Sequence, residues 1–295
     1  MYHLKNPILQ ISIAKKGAEL TSIQAYNKEY LWEGDTQFWG GQAPILFPFV
    51  GKLKDDTYFF EGKEYHLPQH GFFRRSKGII LESQTDNSLT FLLKSSPETL
   101  AVYPFQFEFR TRYTLVENSI HITHLVRNTG NERLYFSLGE HPAFKCSLLN
   151  NNESYERCRL EFEKEETVET HLIENGLIGN ETESVLKNSN TLDLHAGVFD
   201  RDALVFKKMN SKKVTLQHKT EGNIVTLRYT DFPYLGIWSK PKAPFVCIEP
   251  WLGIADSINT SQLLEEKEGI LSIEAGKTFE ASYFIEIHPP GSHTY

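Results

Sequence analysis

The segment from Phe105 to Leu115 decides the architecture before anything else does. Phe105, Phe107, Phe109, Tyr113 and Leu115 fall on one side of it, and Gln106, Glu108, Arg110, Arg112 and Thr114 on the other. A period of two is the signature of a strand with one face on a core and the other in water; a helix of that sequence would scatter its aromatics around the axis. Glu117-Asn118-Ser119 reads as a turn and 119–126 as the returning strand. The pattern recurs near the C-terminus, where Phe279, Ala281, Tyr283, Ile285 and Ile287 alternate with Glu280, Ser282, Phe284 and Glu286. Shorter hairpins are readable at 58–67, 78–94 and 214–229, each with turn residues at its centre. Strands about every ten residues predict an all-β fold, a large sandwich or barrel.

Helical signals are few. Ser96-Pro97-Glu98-Thr99-Leu100 predicts one helical turn, with proline at its first position. A second short piece is expected within 261–268. Residues 150–190 are rich in Asn and Glu and poor in aromatics, which suggests a polar, loop-rich middle rather than a boundary. We therefore expect one domain over residues 1–295. The aromatic content, 20 Phe, 13 Tyr and 4 Trp, is mostly accounted for by pleated faces, which favour such rings. Trp32, Trp39, Trp238 and Trp251 stand beside Gly, Pro or charge and read as loop residues, where rings can serve as platforms for sugars.

A net charge of −7 without a Lys/Arg stripe argues against nucleic-acid binding. The best apolar run, 43–50, is far shorter than a bilayer span and carries two prolines. The N-terminal residues lack a signal-peptide apolar core, and Cys146, Cys158 and Cys247 are odd in number without metal spacing. The expectation is a cytoplasmic protein, monomeric or weakly dimeric, with inert thiols and no membrane or nucleic-acid partner.

Four segments break the strand pattern with ionisable groups beside Gly or Pro: 44–52, 67–75, 137–144 and 247–256. In two of them a strand ends at an ionisable residue followed by proline. Those residues are His141, before Pro142, and Glu249, before Pro250. Histidine titrates near neutrality and an ionised glutamate accepts protons, so the two make an acid and base set if the fold joins them. His66 and His70 have the spacing of a helical metal pair, but Pro68 between them argues against a helix, and no metal site is assigned. Nucleophile-elbow, phosphate-loop and dinucleotide motifs are missing. Lys52, Arg74 and Arg75 are candidates for a cationic pocket that would take a phosphate.

Taken in order, the segments resemble the aldose 1-epimerase (galactose mutarotase) superfamily, and most closely its LacX-like branch. The residues that carry the resemblance are Phe47-Pro48-Phe49-Val50-Gly51-Lys52, Pro68-Gln69-His70-Gly71-Phe72, Gly139-Glu140-His141-Pro142, Phe199-Asp200-Arg201-Asp202 and Ile248-Glu249-Pro250-Trp251. The resemblance implies a β-sandwich with an open cleft and a cofactor-free interconversion of the α and β anomers of an aldose. It implies Glu249 as base, His141 as general acid, His70 as a sugar ligand near the reacting centre, and Asp200 as a ligand of sugar hydroxyls, with Asp202 close enough to replace it. Relatives usually carry Arg where this chain has Lys52, which loses the bidentate fork. A hexose 6-phosphate epimerase, a non-catalytic sugar-binding protein, and a glycoside-processing enzyme using Glu140 or Asp256 beside Glu249 are the alternatives. An acid and base in these roles predict loss of activity at low pH through Glu249 and at high pH through a charged His141.

Overall fold

The computed structural model describes residues 1–150 and 152–292. A nine-stranded sheet and a six-stranded sheet face one another, and every strand pairing within them is antiparallel. The alternating segment is a strand, Phe107–Val116, at the middle of the larger sheet, paired with Ser119–Asn128, which in turn pairs with Thr278–Ile287. Their apolar residues meet the smaller sheet in one core. Phe47 stacks on Phe109 with centroids 4.6 Å apart, and Phe73 meets the same ring edge-on at 4.6 Å. Among the described residues, no helix is long and apolar enough to cross a membrane.

The helical expectations hold only in part. Pro97–Val102 is a short α-helix, capped by the Ser96 side chain on the Thr99 N–H. Within 261–268 there is only a single 3-10 turn, Leu264–Glu266. The polar middle differs more. Cys158–Glu174 and Leu177–Asp193 are the two longest strands, 17 residues each, and form one antiparallel arm at the edge of the large sheet. Strand character is legible at 159–162, where Leu160 and Phe162 are buried between exposed or half-buried neighbours, and at 191–194, but the stretch between is largely exposed, above all in the second strand, and carries little apolar alternation.

One buried polar contact ties the sheets together. Glu140, on the Gly139–Glu140 strand of the smaller sheet, faces inward, and its Oε1 lies 2.8 Å from His124 Nε2 on the larger sheet. The Tyr283 hydroxyl donates to Glu140 Oε2 at 2.8 Å. All three residues are buried. Removing one partner of a buried pair strands the others without water. Glu140→Ala should therefore lower the unfolding free energy by about 3–5 kcal/mol. Denaturant unfolding measures this, and a loss below about 1 kcal/mol, the worth of an ordinary hydrogen bond, would show that Glu140 does not tie the sheets.

Candidate active site

The Phe245–Trp251 strand builds the floor of a cleft through its pleat. Val246 and Ile248 enter the main core, while Phe245, Cys247, Glu249 and Trp251 face the other way. Glu249 is therefore inside a strand rather than at its exit, and it pairs across with Gly236. That glycine has a steric purpose, because a Cβ there would lie 2.4 Å from the Trp251 ring. The absent side chain lets the indole lie flat beside Glu249.

His141 arrives from the neighbouring strand. Glu140 points into the core, so the next residue points out of it, and Pro142 follows. The His141 Nε2 is 3.3 Å from Glu249 Oε2. Its ring stacks on Trp39 with centroids 4.8 Å apart and meets Trp238 edge-on at 5.8 Å. His70 completes the set, 5.8 Å from His141 between ring centroids. Its backbone is left-handed, with φ of 68°, and Gly71 after it has φ of 65°; a Cβ on Gly71 would be 2.3 Å from the Phe47 carbonyl oxygen. That tight turn lets the His70 N–H donate to the Gly51 carbonyl at 2.9 Å while the Gly51 N–H donates to His70 Nδ1 at 3.1 Å. With Nδ1 as acceptor, Nε2 carries the proton and is free to donate.

Burial sets the charge states. Loss of water pushes Glu249 well above the usual carboxylate range, Asp202 adds to the rise, and the Trp251 indole opposes it. Burial pushes His141 down to about 3, with Arg74 contributing. His70 is also held well below 6.5 by burial, then by His141, Arg74 and Arg75. Two buried polar atoms here have no protein partner: Arg74 Nε and His141 Nδ1. Buried polar groups are normally satisfied, so a cluster of unmet ones marks where a polar ligand belongs.

The cleft has a volume of about 340 Å3, and its lining includes His70, Arg74, His141, Asp202, Trp238 and Glu249. Five of these were legible beforehand, Asp202 as the neighbour of Asp200. Asp200 is exposed and does not line this cleft. It lies with Asp202, Trp238 and Lys240 around an adjoining depression. Lys52 is outside the lining too, with Nζ 3.4 Å from the Asn175 carbonyl and its methylenes over Gly176 at the turn of the long arm. The arm was missed as a contributor. Ile173, Gly176 and Ile178 form one cleft wall, fixed by the Ile178 N–H on the Asp256 carbonyl at 2.8 Å. Lys240 also lines the cleft and carried no distinguishing motif, while Gln69 lies inside the His70 motif and Trp39 was one of the four tryptophans read as possible platforms. The expectation of a second carboxylate is corrected. Glu140 is engaged in the core, and Asp256 accepts from Lys267 Nζ at 2.7 Å and from the Lys54 N–H at 2.9 Å.

With this geometry described, likeness to known proteins is informative. The aldose 1-epimerase family model matches residues 1–280. The chain belongs to the aldose 1-epimerase family. The plasmid-encoded LacX protein of Lactococcus lactis subsp. lactis is 36% identical, over 96% of this chain and 98% of that one. A galactose mutarotase related enzyme of Lactobacillus acidophilus superposes with a TM-score of 0.92 at 33% identity, covering 100% of this chain and 99% of that one. A galactose mutarotase-like protein of Lactobacillus casei gives 0.90 at 30% identity, covering 98% and 100%. The family member described here is thus an isomerase of sugars in kind, with a β-sandwich fold.

The tautomer of His70 is directly testable. Its imidazole should remain neutral and Nε2-protonated from pH 8 down past its ordinary value near 6.5, as read from side-chain 15N shifts assigned with His70→Gln. A midpoint near 6.5 would contradict the buried, Gly51-bound ring.

Proposed function

We propose that this protein interconverts the α and β anomers of a hexose by proton transfer alone. The observation that carries the reading is the contact between His141 and Glu249 at 3.3 Å on the floor of an open cleft. A hemiacetal holds its hydroxyl and its ring oxygen on a single carbon. The groups that exchange protons with those oxygens must therefore be near neighbours, and two residues 108 apart in sequence meet that demand only through the fold. Glu249 takes the proton of the anomeric hydroxyl while His141 gives one to the ring oxygen, and the C1–O5 bond opens. Rotation about C1–C2 presents the other carbonyl face, and reversal of both transfers closes the ring. His70 Nε2–H donates to the sugar near the reacting carbon. Trp39 and Trp238 give apolar faces, and Asp202 hydroxyl-binding oxygens. No electron or group is transferred, so these side chains suffice.

A non-catalytic binding protein does not need this pair, and its burial would only cost stability. Hydrolysis of glycosides by two carboxylates is not favoured, because Glu140 and Asp256 are both engaged elsewhere and Asp202 on this reading is a hydroxyl ligand, and we expect no release from nitrophenyl glycosides.

Only one mobile proton is needed on the pair. Burial places it on Glu249 in the empty cleft, and its passage to His141 over 3.3 Å creates the carboxylate base and imidazolium acid together. This reverses the expected pH assignment. Activity should fall in acid only as a second proton joins the pair, toward about 3, and in alkali as the last proton leaves Glu249, above 4.5. Anomer exchange followed by NMR over a sugar panel gives the profile, and a carboxylic C=O band absent from Glu249→Gln should titrate with the alkaline limb. Glu249→Gln and His141→Asn should each lose about 10²–10⁴-fold. No exchange with any sugar, or an unchanged rate in Glu249→Gln, would sink the assignment.

A 6-phosphorylated hexose is the second reading, favoured by one observation: Arg74 and Lys240 both line the cleft, and Arg74 Nε is buried without a partner. On that reading glucose 6-phosphate has a lower KM than glucose, and Arg74→Ala removes the difference while Lys52→Ala, away from the lining, leaves it. Equal KM values for the two sugars would reject phosphate recognition.

A further inference from the structure

Two groups of side chains bring three metal-binding donors together: Glu153, His218 and Glu221, and His141, Cys247 and Glu249. In the first, His218 Nδ1 accepts from the Glu221 N–H at 3.1 Å, and the Glu221 carboxylate takes the Ser147 hydroxyl and, at 2.8 Å, the Leu148 N–H. Two of its three donors are thus engaged in the local turn, and the remaining His218 Nε2 faces Glu153 at 3.4 Å.

The second group is different. Cys247 and Glu249 are alternate residues of one strand and face the same way, and Cys247 is opposite Trp238 on one side and Ala143 on the other. One donor atom from each of His141, Cys247 and Glu249 lies within 4.8 Å of the other two. Among the described residues, neither the thiol nor the Glu249 carboxylate receives a main-chain N–H. The His141 Nε2 to Glu249 Oε2 separation is 3.3 Å. Bonds of roughly 2.0–2.1 Å from nitrogen and oxygen to Zn2+ at tetrahedral angles put those two atoms about 3.3–3.4 Å apart. The pair is thus already at the edge length of a zinc tetrahedron. A sulfur third donor selects soft cations and disfavours Mg2+ and Ca2+, which require oxygen. His141 and Glu249 both line the cleft.

We infer that His141, Cys247 and Glu249 form a binding site for one soft divalent cation of the Zn2+ class, and that its occupation shuts off the acid–base pair. Binding exchanges two protons for the metal: Cys247–SH, the protonated Glu249 carboxyl and Zn2+ give Cys247–S–Zn and Glu249–O–Zn bonds and two protons released to solvent, with no change of oxidation state. The inhibition rests on the mutarotase reading, whereas the binding stands without it.

Cd2+ serves as the probe of binding because its thiolate complex absorbs in the ultraviolet. Titrated into chelator-treated protein, it should give a saturable thiolate band at one ion per chain, lost in Cys247→Ser, which keeps the two core cysteines, Cys146 and Cys158. No band, or an equal band in Cys247→Ser, overturns the site whether or not the protein acts on sugars. In the anomer-exchange assay Zn2+ should inhibit the wild type reversibly with EDTA, and Mg2+ should not. Cys247→Ser should keep its basal rate and need at least 10-fold more Zn2+, since losing even a supporting partner of a ligand costs roughly 10–100-fold. Equal Zn2+ sensitivity of the two proteins would reject this route of inhibition. Should Cys247→Ser misfold, Cys247→Ala gives the same two readouts.

Discussion

A carboxylate sealed between two sheets has to be answered by donors from the sheet it faces. Glu140 is answered by His124 and Tyr283. Much of the active site follows from that contact. The pleat sends successive side chains to opposite faces, so anchoring Glu140 inward commits His141 outward. The same pleat on the adjoining strand commits Glu249 to the same side, while Val246 and Ile248 hold that strand in the core. His141 and Glu249 are thus positioned by packing on the reverse side of the strands that carry or lead to them.

The cost of such a site is electrostatic. Water is withdrawn from a carboxylate and two imidazoles at once, which favours their neutral forms and leaves Arg74 and His141 with polar atoms unmatched. A fold gains nothing from this by itself. The extensive apolar contact between the sheets tolerates it, and the unmet hydrogen-bonding capacity is what a polyhydroxylated ligand supplies.

Much of this was legible in the residues. The alternation from Phe105 to Leu115 required a half-buried strand, and the Pro-flanked His141 and Glu249 stood out as chemistry placed at strand positions. Other features were hidden for physical reasons. The second strand of the arm is exposed along most of its length and the pairing is broken by several register shifts, so the sequence between 163 and 190 resembles a loop although its backbone forms an antiparallel pair. Glu249 seemed to end a strand because Pro250 follows it, but the strand continues to Trp251. Glu140 could be read as a second catalytic carboxylate until its direction was known, because sequence gives the neighbour and not the face. Lys52 sits in a family motif, and only the position of the arm shows its ammonium turned to the Asn175 carbonyl.

The arm also separates two tasks. Its origin lies in the large sheet, and its turn, 173–178, walls the cleft that the small sheet floors. Replacements at that turn alter the shape offered to a sugar without disturbing the strands that carry His141 and Glu249. On the proposed reading, one wall of the pocket can thereby change its shape while the strands beneath the reacting pair stay as they are.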